Sequence, residues 1–159
     1  MRIIVISDTH IPRVAQDLPQ QIYREIENSD AIIHAGDFVE KSLLDKLRIL
    51  RKTYAVSGNM DPEEVQKELK PREIVRIGKF RIGLVHGHGS ARDLADRISG
   101  EFKDVDAIVF GHSHAALNVR KNGVLLFNPG SPTDKLFASE RSYGVLEIAE
   151  SIEGHIIRI

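Results

Sequence analysis

Cysteine and tryptophan are absent from this sequence, and aromatic residues make up only 6% of it. Without cysteine, the chain offers no disulfide framework and no thiolate ligand, so any metal ion must be held by His, Asp, Glu or Asn. Oxygen and imidazole ligands of this kind suit hard or borderline divalent cations. The composition therefore limits the metal chemistry that the chain can support.

Long apolar runs and a large net charge are absent as well. No apolar run approaches the roughly 18 residues that a membrane span needs. The apolar run at 3–6 is too short for a signal peptide and is soon followed by Asp8. We therefore expect a cytoplasmic protein without membrane contact. The formal net charge of −1 gives no general attraction to nucleic acid, so a phosphate ligand would need local positive charge.

The 159 residues fit a single domain, which we expect to span 1–159. In the first half, apolar β-branched runs predict strands at 2–7, 30–35 and 53–57. Apolar residues at helical spacing predict helices at 18–27 and 40–52. This alternation indicates a largely parallel sheet, in which the carboxyl ends of the strands share one edge.

The second half of the chain reads mainly as strands. It contains a hairpin signal at 73–77 and 80–85, a helix signal at 90–98 with Ser90 as its cap, and a strand signal at 106–110. Further β-like segments lie at 116–120, 124–127, 143–148 and 155–159.

Five of the predicted strands are followed at once by Asp, Asn or His, with glycine or serine nearby. Each motif taken alone is compatible with an ordinary turn or an exposed loop, but five in the same context favour a shared site. The motifs are Asp8-Thr9-His10, Gly36-Asp37, Gly58-Asn59-Met60-Asp61, His86-Gly87-His88 and Gly111-His112-Ser113-His114.

Seven side chains in these motifs are candidate metal ligands: Asp8, His10, Asp37, Asn59, His86, His112 and His114. One ion seldom needs so many protein ligands, whereas two divalent ions with a bridging carboxylate use them well. Two dications, two aspartates and a bridging hydroxide sum to about +1, which suits an anionic ester. The pattern therefore predicts hydrolysis of a phosphoester by a metal-bridging hydroxide.

Four other polar residues have competing interpretations. His34 lies within its predicted strand, which favours a core or sheet-face histidine over a ligand. Asp61 precedes Pro62 and Glu64, which is typical of a helix N-cap with a capping box, and we favour that role. His88 follows a ligand and is a candidate to bind phosphate or to protonate the leaving oxygen, although a solvent-facing loop histidine fits equally well. His155 lies outside the pattern, and we expect it to be exposed.

These motifs, in this order, resemble those of the calcineurin-like metallophosphoesterase superfamily. The small size and the segment Asn128-Pro129-Gly130-Ser131 are similar to its branch of single-domain bacterial and archaeal phosphodiesterases, and the resemblance covers residues 1–131. It implies an α/β fold with four layers (αββα), in which two mixed β-sheets pack face to face with helices outside. It also implies that Asp8, His10 and His114 bind one metal ion, that Asn59, His86 and His112 bind the other, and that Asp37 bridges them.

The resemblance implies Mn²⁺, with Ni²⁺, Mg²⁺, Zn²⁺ or Fe as alternatives. Many members of the superfamily have histidine after the motif asparagine, placed to protonate the leaving group, but this chain has Met60. Methionine cannot donate a proton, so His88 or water must act instead, unless the leaving group needs little help. The candidate catalytic residues are therefore His88, Asp37 and Asn59.

The leading hypothesis is a dinuclear-metal phosphodiesterase acting on a small phosphodiester. One alternative is a catalytically silent metal-binding scaffold of the same fold, like the retromer subunit that resembles this family, although a scaffold has no reason to keep all seven donors. The other is a phosphomonoesterase or pyrophosphatase, which would share the metal ions. The terminal strands could also offer an edge for a homo-oligomer.

Overall fold

The computed structural model describes residues 1–136, 138 and 140–159, and ten strands and four helices lie within them. The strands are β1 (Arg2–Ile6), β2 (Ala31–His34), β3 (Lys52–Ala55), β4 (Arg72–Ile77), β5 (Phe80–Val85), β6 (Ala107–Val109), β7 (Leu117–Lys121), β8 (Val124–Asn128), β9 (Ser142–Ile148) and β10 (Ile152–Arg158). The helices are α1 (Gln20–Glu27), α2 (Lys41–Leu50), α3 (Glu63–Glu68) and α4 (Leu94–Ser99).

The strands form two mixed sheets of five strands each, in the orders β10-β9-β1-β2-β3 and β4-β5-β6-β8-β7. In the first sheet, β1, β2 and β3 are parallel. On the other side of β1, β9 pairs antiparallel with β1, and β10 pairs antiparallel with β9. In the second sheet, β5, β6 and β8 are parallel, and β4 and β7 are antiparallel edge strands. The parallel arrangement predicted for the first half of the chain is therefore confirmed for β1, β2 and β3. The parallel segment of the second sheet was not predicted.

The two sheets pack face to face, and the helices cover their outer faces. Alternate residues of β1 show the layering, because Ile3 and Val5 join the apolar cluster between the sheets while Ile4 and Ile6 pack with the side chains of α1, α2 and α3. On the outer face of the second sheet, α4 contributes Leu94 to a third apolar cluster. The αββα architecture is thus confirmed.

All the predicted strands and helices are found, and two of them start three or more residues from the predicted position. The helix predicted at 90–98 begins at Leu94, and the prediction that Ser90 caps it is wrong. Ser90 Oγ instead accepts a hydrogen bond from Arg92 N at 3.1 Å, and Asp93 adopts a left-handed conformation (φ +55°) before the helix begins. The last strand begins at Ile152, three residues earlier than 155.

The edge strands and the lengths of the helices relate to two expectations, self-association and the absence of membrane contact. β10 is an edge strand, so the expected homo-oligomer has an edge available, but self-association stays a prediction. Within 1–136, 138 and 140–159, none of the helices combines the length and the apolar character that crossing a bilayer requires.

One aromatic ring fixes the backbone of two neighbouring strands. Phe127 of β8 is fully buried between the sheets, and it packs directly on Gly144 of β9 and Gly154 of β10. A Cβ atom at Gly144 would overlap this ring and would also lie 3.3 Å from Val5 Cβ. Glycine is therefore required there by packing.

We predict that Gly144→Ala lowers the free energy of unfolding by about 1–3 kcal/mol, as expected for overpacking of a close-packed core. Gly100→Ala is the matched control, because its added Cβ would meet nothing closer than 3.6 Å. Urea unfolding of the chelator-treated proteins measures both changes. Equal midpoints for the two variants would show that Phe127 does not constrain β9.

Candidate metal centre

The five polar motifs meet where the parallel strands of both sheets end. The loop after β1 is joined to the loop after β2 by backbone hydrogen bonds from Asp8 N to Gly36 O and from His10 N to Asp37 O, both 3.0 Å. Between the sheets, His112 N donates to the Asp8 carboxylate at 3.0 Å. The two sheets thus present their polar loops to one another.

Two groups of side chains in this region could hold a metal ion. Asp8, His10 and His114 form one group, and Asp8, Asp37 and His86 form the other, with candidate ligand atoms within 4.8 Å of one another in each. Asp37 also faces both groups, since its Oδ2 lies 3.6 Å from His10 Nε2 and 3.3 Å from His86 Nε2. The two carboxylates therefore lie between the two groups.

The His86 imidazole is held with one ring nitrogen directed at these carboxylates. Its Nδ1 is 2.7 Å from Ala35 O, and because a carbonyl oxygen only accepts, Nδ1 carries the hydrogen. Nε2 is buried and has no hydrogen-bond partner among the described residues. Burial opposes the charged form, but Asp37 and Asp8 raise the pKa of His86 to about 9. The chain thus surrounds Nε2 with an environment suited to a cation, and a divalent ion fits it.

Protonation of the two carboxylates differs. Burial raises the pKa of Asp8, and the nearby His86 and His114 only partly offset this effect. Burial acts on Asp37 in the same direction, but there His86 and the Met60 backbone N–H outweigh it, so the pKa of Asp37 is lowered. Asp37 is consequently the more readily ionised of the two.

His112 and Asn59 face each other across the cleft. His112 Nε2 donates to Gly89 O at 2.7 Å, and His112 Nδ1 lies 3.1 Å from Asn59 Oδ1. A ring nitrogen and an amide oxygen this close together form a pair of candidate metal ligands.

Asp134 is a residue of the candidate site that the sequence interpretation missed. Its carboxylate accepts a hydrogen bond from His114 Nδ1, which turns His114 Nε2 toward Asp8 Oδ1 at 3.4 Å. A carboxylate behind a histidine in this way is the usual support of a metal-binding imidazole. The available signal was an acidic residue shortly after the segment 128–131, but it lies outside the strand-end pattern.

The loop after β8 also holds the first motif in place. Ser131 Oγ donates to Asp8 O at 2.7 Å, and Thr133 Oγ1 donates to Thr9 O at 2.7 Å. Both hydroxyl groups are buried. The segment 128–134 therefore braces the loop that carries Asp8 and His10.

Most of the candidate ligands have an unusual backbone conformation. Positive φ angles between +44° and +68° occur at Asp8, His10, Asp37, His112 and His114. Non-glycine residues rarely adopt this region, and such strain clusters at functional sites, where the surrounding structure enforces it. The fold thus holds these five side chains in orientations that a relaxed backbone would not give.

His34 lies in the core, as predicted, and it connects two of the loops. Gly36 N donates to His34 Nδ1 at 3.1 Å, so Nε2 carries the hydrogen and donates to Thr9 Oγ1 at 3.1 Å. Its ring stacks on Phe38, and burial lowers the pKa of His34 well below its usual value. His34 is therefore a neutral residue that links two loops by hydrogen bonds, rather than a metal ligand.

The prediction that Asp61 is a helix N-cap is wrong. The residue before α3 is Pro62, and no side chain caps that helix. The Asp61 carboxylate instead accepts hydrogen bonds from Gly58 N (2.7 Å), Val39 N (2.8 Å) and Asp37 N (3.1 Å). Asp61 thereby joins the loop that carries Asn59 to the loop that carries Asp37.

Two adjacent cavities open beside this region. The larger, of about 630 Å³, is lined by His10, Asp37, Asn59, Met60, His112 and His114 together with Arg13, Val14 and residues 133–136. The smaller, of about 360 Å³, is lined by Asn59, His86 and His88, among others. His88 is exposed and borders the smaller cavity, so its proposed role in catalysis stays a prediction. His155 is exposed, as expected.

The donors of this site, four imidazoles with carboxylates and an amide oxygen, are those of a centre that binds divalent metal ions. The family model described as the calcineurin-like phosphoesterase superfamily domain matches residues 1–151. The chain therefore belongs to the calcineurin-like phosphoesterase superfamily.

Known proteins are similar over most of the chain. A probable metallophosphoesterase of Methanocaldococcus jannaschii is 40% identical over 136 residues, which cover 84% of this chain and 69% of the relative. Vps29 of Entamoeba histolytica, solved as a single mutant, has a TM-score of 0.79 and 25% identity, and the match covers 100% of this chain and 99% of that one. An archaeal phosphodiesterase has the same fold, with a TM-score of 0.76, 24% identity and 100% coverage of both chains.

The role of Asp61 can be tested by replacing it with another good N-cap. We predict that Asp61→Ser lowers the free energy of unfolding by at least about 2 kcal/mol, because three backbone N–H groups lose a charged acceptor. If Asp61 acted as a cap, serine would replace it at a cost of a few tenths of a kcal/mol. Asp45→Ser on the exposed face of α2 is the control, and denaturant unfolding of metal-free protein is the measurement.

Proposed function

We propose that this protein is a phosphodiesterase that depends on two divalent metal ions and hydrolyses a small phosphodiester. The observation that carries the proposal is the buried His86 Nε2, which has no hydrogen-bond partner in the described part of the chain and lies 3.3 Å from Asp37 and 3.8 Å from Asp8. Such a nitrogen between two carboxylates is the environment of a metal ligand.

In this proposal, Asp8, His10 and His114 hold one ion, Asn59, His86 and His112 hold the other, and Asp37 contacts both. The distances from Asp37 Oδ2 to His10 Nε2 (3.6 Å) and to His86 Nε2 (3.3 Å) support the shared role of Asp37. The contact between Asn59 and His112 supports the second set. The ion expected first is Mn²⁺, with Ni²⁺, Mg²⁺, Zn²⁺ or Fe as alternatives.

When bound, two such ions would supply an activated water and would stabilise negative charge on the phosphoryl oxygens. The chain's own groups orient the reacting parts. Asp134 holds the His114 ring, Ala35 O holds the His86 ring, and Gly89 O holds the His112 ring, so each imidazole is fixed before substrate arrives. Rigid positioning of this kind reduces the reorganisation needed in the transition state.

His88 is the proposed donor of a proton to the leaving oxygen, in place of the residue at position 60. Met60 lines the larger cavity and has no acidic hydrogen, whereas His88 borders the smaller cavity beside Asn59. An imidazole nitrogen that carries a hydrogen can donate it to a leaving oxygen, as general acid catalysis requires. The leaving group would accordingly lie in the smaller cavity.

The main alternative is a catalytically silent metal-binding scaffold. The likeness to Vps29 favours it, since the same fold covers 100% of this chain at a TM-score of 0.79. A phosphomonoesterase is a further alternative that would use the same ions. A cytoplasmic location and a homo-oligomeric state belong to the proposal and rest on the sequence alone.

Hydrolysis assays separate these candidates. Chelator-treated protein reloaded with Mn²⁺, Ni²⁺, Mg²⁺ or Zn²⁺ should cleave bis(p-nitrophenyl) phosphate faster than p-nitrophenyl phosphate. Asp37→Asn should lower kcat by at least about 100-fold, because it weakens the ligand that both ions share. Asp45→Asn on α2 is the control and should retain full activity. Faster cleavage of the monoester would favour a phosphomonoesterase, and no turnover with two ions bound would favour the scaffold.

A proton donor matters most when the leaving group is a strong base. We predict that His88→Ala slows hydrolysis of a diester with an alkyl leaving group by about 100-fold, in the range for general acid catalysis. The same change should slow release of p-nitrophenolate by only a few fold, because that group leaves without protonation. The exposed His155→Ala serves as control. Equal losses on both diesters would rule out the proton-donor role.

A further inference from the structure

The two cavities beside the metal centre share Asn59. His10, Asp37 and His114 line the larger cavity, whereas His86 lines the smaller one, so the candidate ligands occupy the boundary between them. A phosphate held at this boundary would extend one ester group into each cavity. A diester has two such groups and a monoester has one, so the two cavities match a diester.

The larger cavity carries positive charge that the metal chemistry does not use. Arg13 and Lys135 line it, and neither forms an ion pair with any residue that the structure describes. The carboxylates in the same wall are already engaged, because Asp134 bonds to His114 and Asp37 faces His10 and His86.

The charge of the site indicates which ligand Arg13 and Lys135 would bind. Two dications, two aspartates and a hydroxide leave about +1, which one phosphodiester group with about −1 balances. The positive charges of Arg13 and Lys135 then have no counterpart in a simple diester. Guanidinium and ammonium groups beside a metal site are suited to a further phosphate.

The larger cavity also has an apolar part. Val14, Met60 and Leu136 line it and remain 46%, 40% and 83% exposed. Exposed apolar side chains grouped around a cleft favour an organic group with an apolar face. The smaller cavity has a different lining, with His88, Gln66, Arg72 and Glu101, and suits a polar alcohol.

We propose that the two cavities are the two arms of a diester-binding cleft, and that the larger arm binds an organic group carrying a second phosphate through Arg13 and Lys135. The substrate class is then a phosphodiester with an additional phosphate, such as a nucleoside diester phosphorylated at its other hydroxyl. The proposal rests on the proposed phosphodiesterase function and adds the orientation in which the substrate binds. The phosphorylated group occupies the larger arm, and the leaving alcohol occupies the smaller arm beside His88.

The test compares two substrates that differ by one phosphate. These are thymidine 5′-(p-nitrophenyl phosphate) and the same diester with a 3′-phosphate. The unmodified protein should cleave the 3′-phosphorylated diester with a kcat/KM about 10-fold higher, mainly through KM, as expected for one added charged hydrogen bond. The double variant Arg13→Gln/Lys135→Gln should bring the ratio close to 1.

Exposed cations elsewhere provide the matched control, and binding provides a second readout. Arg24→Gln/Lys103→Gln removes the same charge away from both cavities and should leave the ratio unchanged. Calorimetry should show tighter binding of thymidine 3′,5′-bisphosphate than of thymidine 5′-monophosphate, with the difference lost in the Arg13/Lys135 double variant. This readout requires no turnover.

The outcomes distinguish the two proposals. If no diester is cleaved with any ion, the proposed function falls, and this inference falls with it. If bis(p-nitrophenyl) phosphate is cleaved but the two thymidine diesters react equally and the two thymidine phosphates bind equally, only the two-arm inference is overturned. An equal loss in the Arg24/Lys103 control variant would also overturn it, because the effect would then be one of net charge.

Discussion

The structure depends on two buried carboxylates, Asp8 and Asp37, which are 0% and 2% exposed. Burying an ionised carboxylate costs several kcal/mol unless nearby groups compensate for it. Backbone N–H groups supply part of the compensation, from His112 to Asp8 at 3.0 Å and from Met60 to Asp37 at 2.8 Å. The histidine nitrogens around them complete a site in which bound cations would supply the remainder. The two-sheet fold is what brings these charges together.

The burial of these two carboxylates accounts for the strained backbone angles and the close backbone contacts around them. The positive φ angles at Asp8 and His112 are unfavourable in isolation, and they persist because loops from both sheets hold them. Gly111 is part of the same constraint, since a Cβ there would lie 2.7 Å from Asp8 Oδ2. The strained backbone orients the candidate ligands, and the packed cores on both sides of each sheet stabilise that strained conformation.

Most of the strands and candidate ligands could be predicted from the sequence, because apolar periodicity and polar residues at strand ends are local signals. The strands and the seven candidate ligands follow from them, and the family resemblance supplied the pairing of two sheets. Asp61 was misread because a cap and a loop anchor share the pattern Asp-Pro-x-Glu, and only the neighbouring loop at Val39 decides between them. Asp134 was missed because its partner, His114, lies 20 residues away. Contacts of this kind depend on how loops from separate strands meet, which no local pattern records.

The central claim is that two ions share this site through Asp37. The most direct measurement is a crystal structure of Mn²⁺-loaded protein with anomalous scattering data. The account predicts two anomalous peaks about 3.5–4 Å apart, one beside His114, one beside His86, and both in contact with Asp37. A single peak, or two peaks that do not share Asp37, would contradict it.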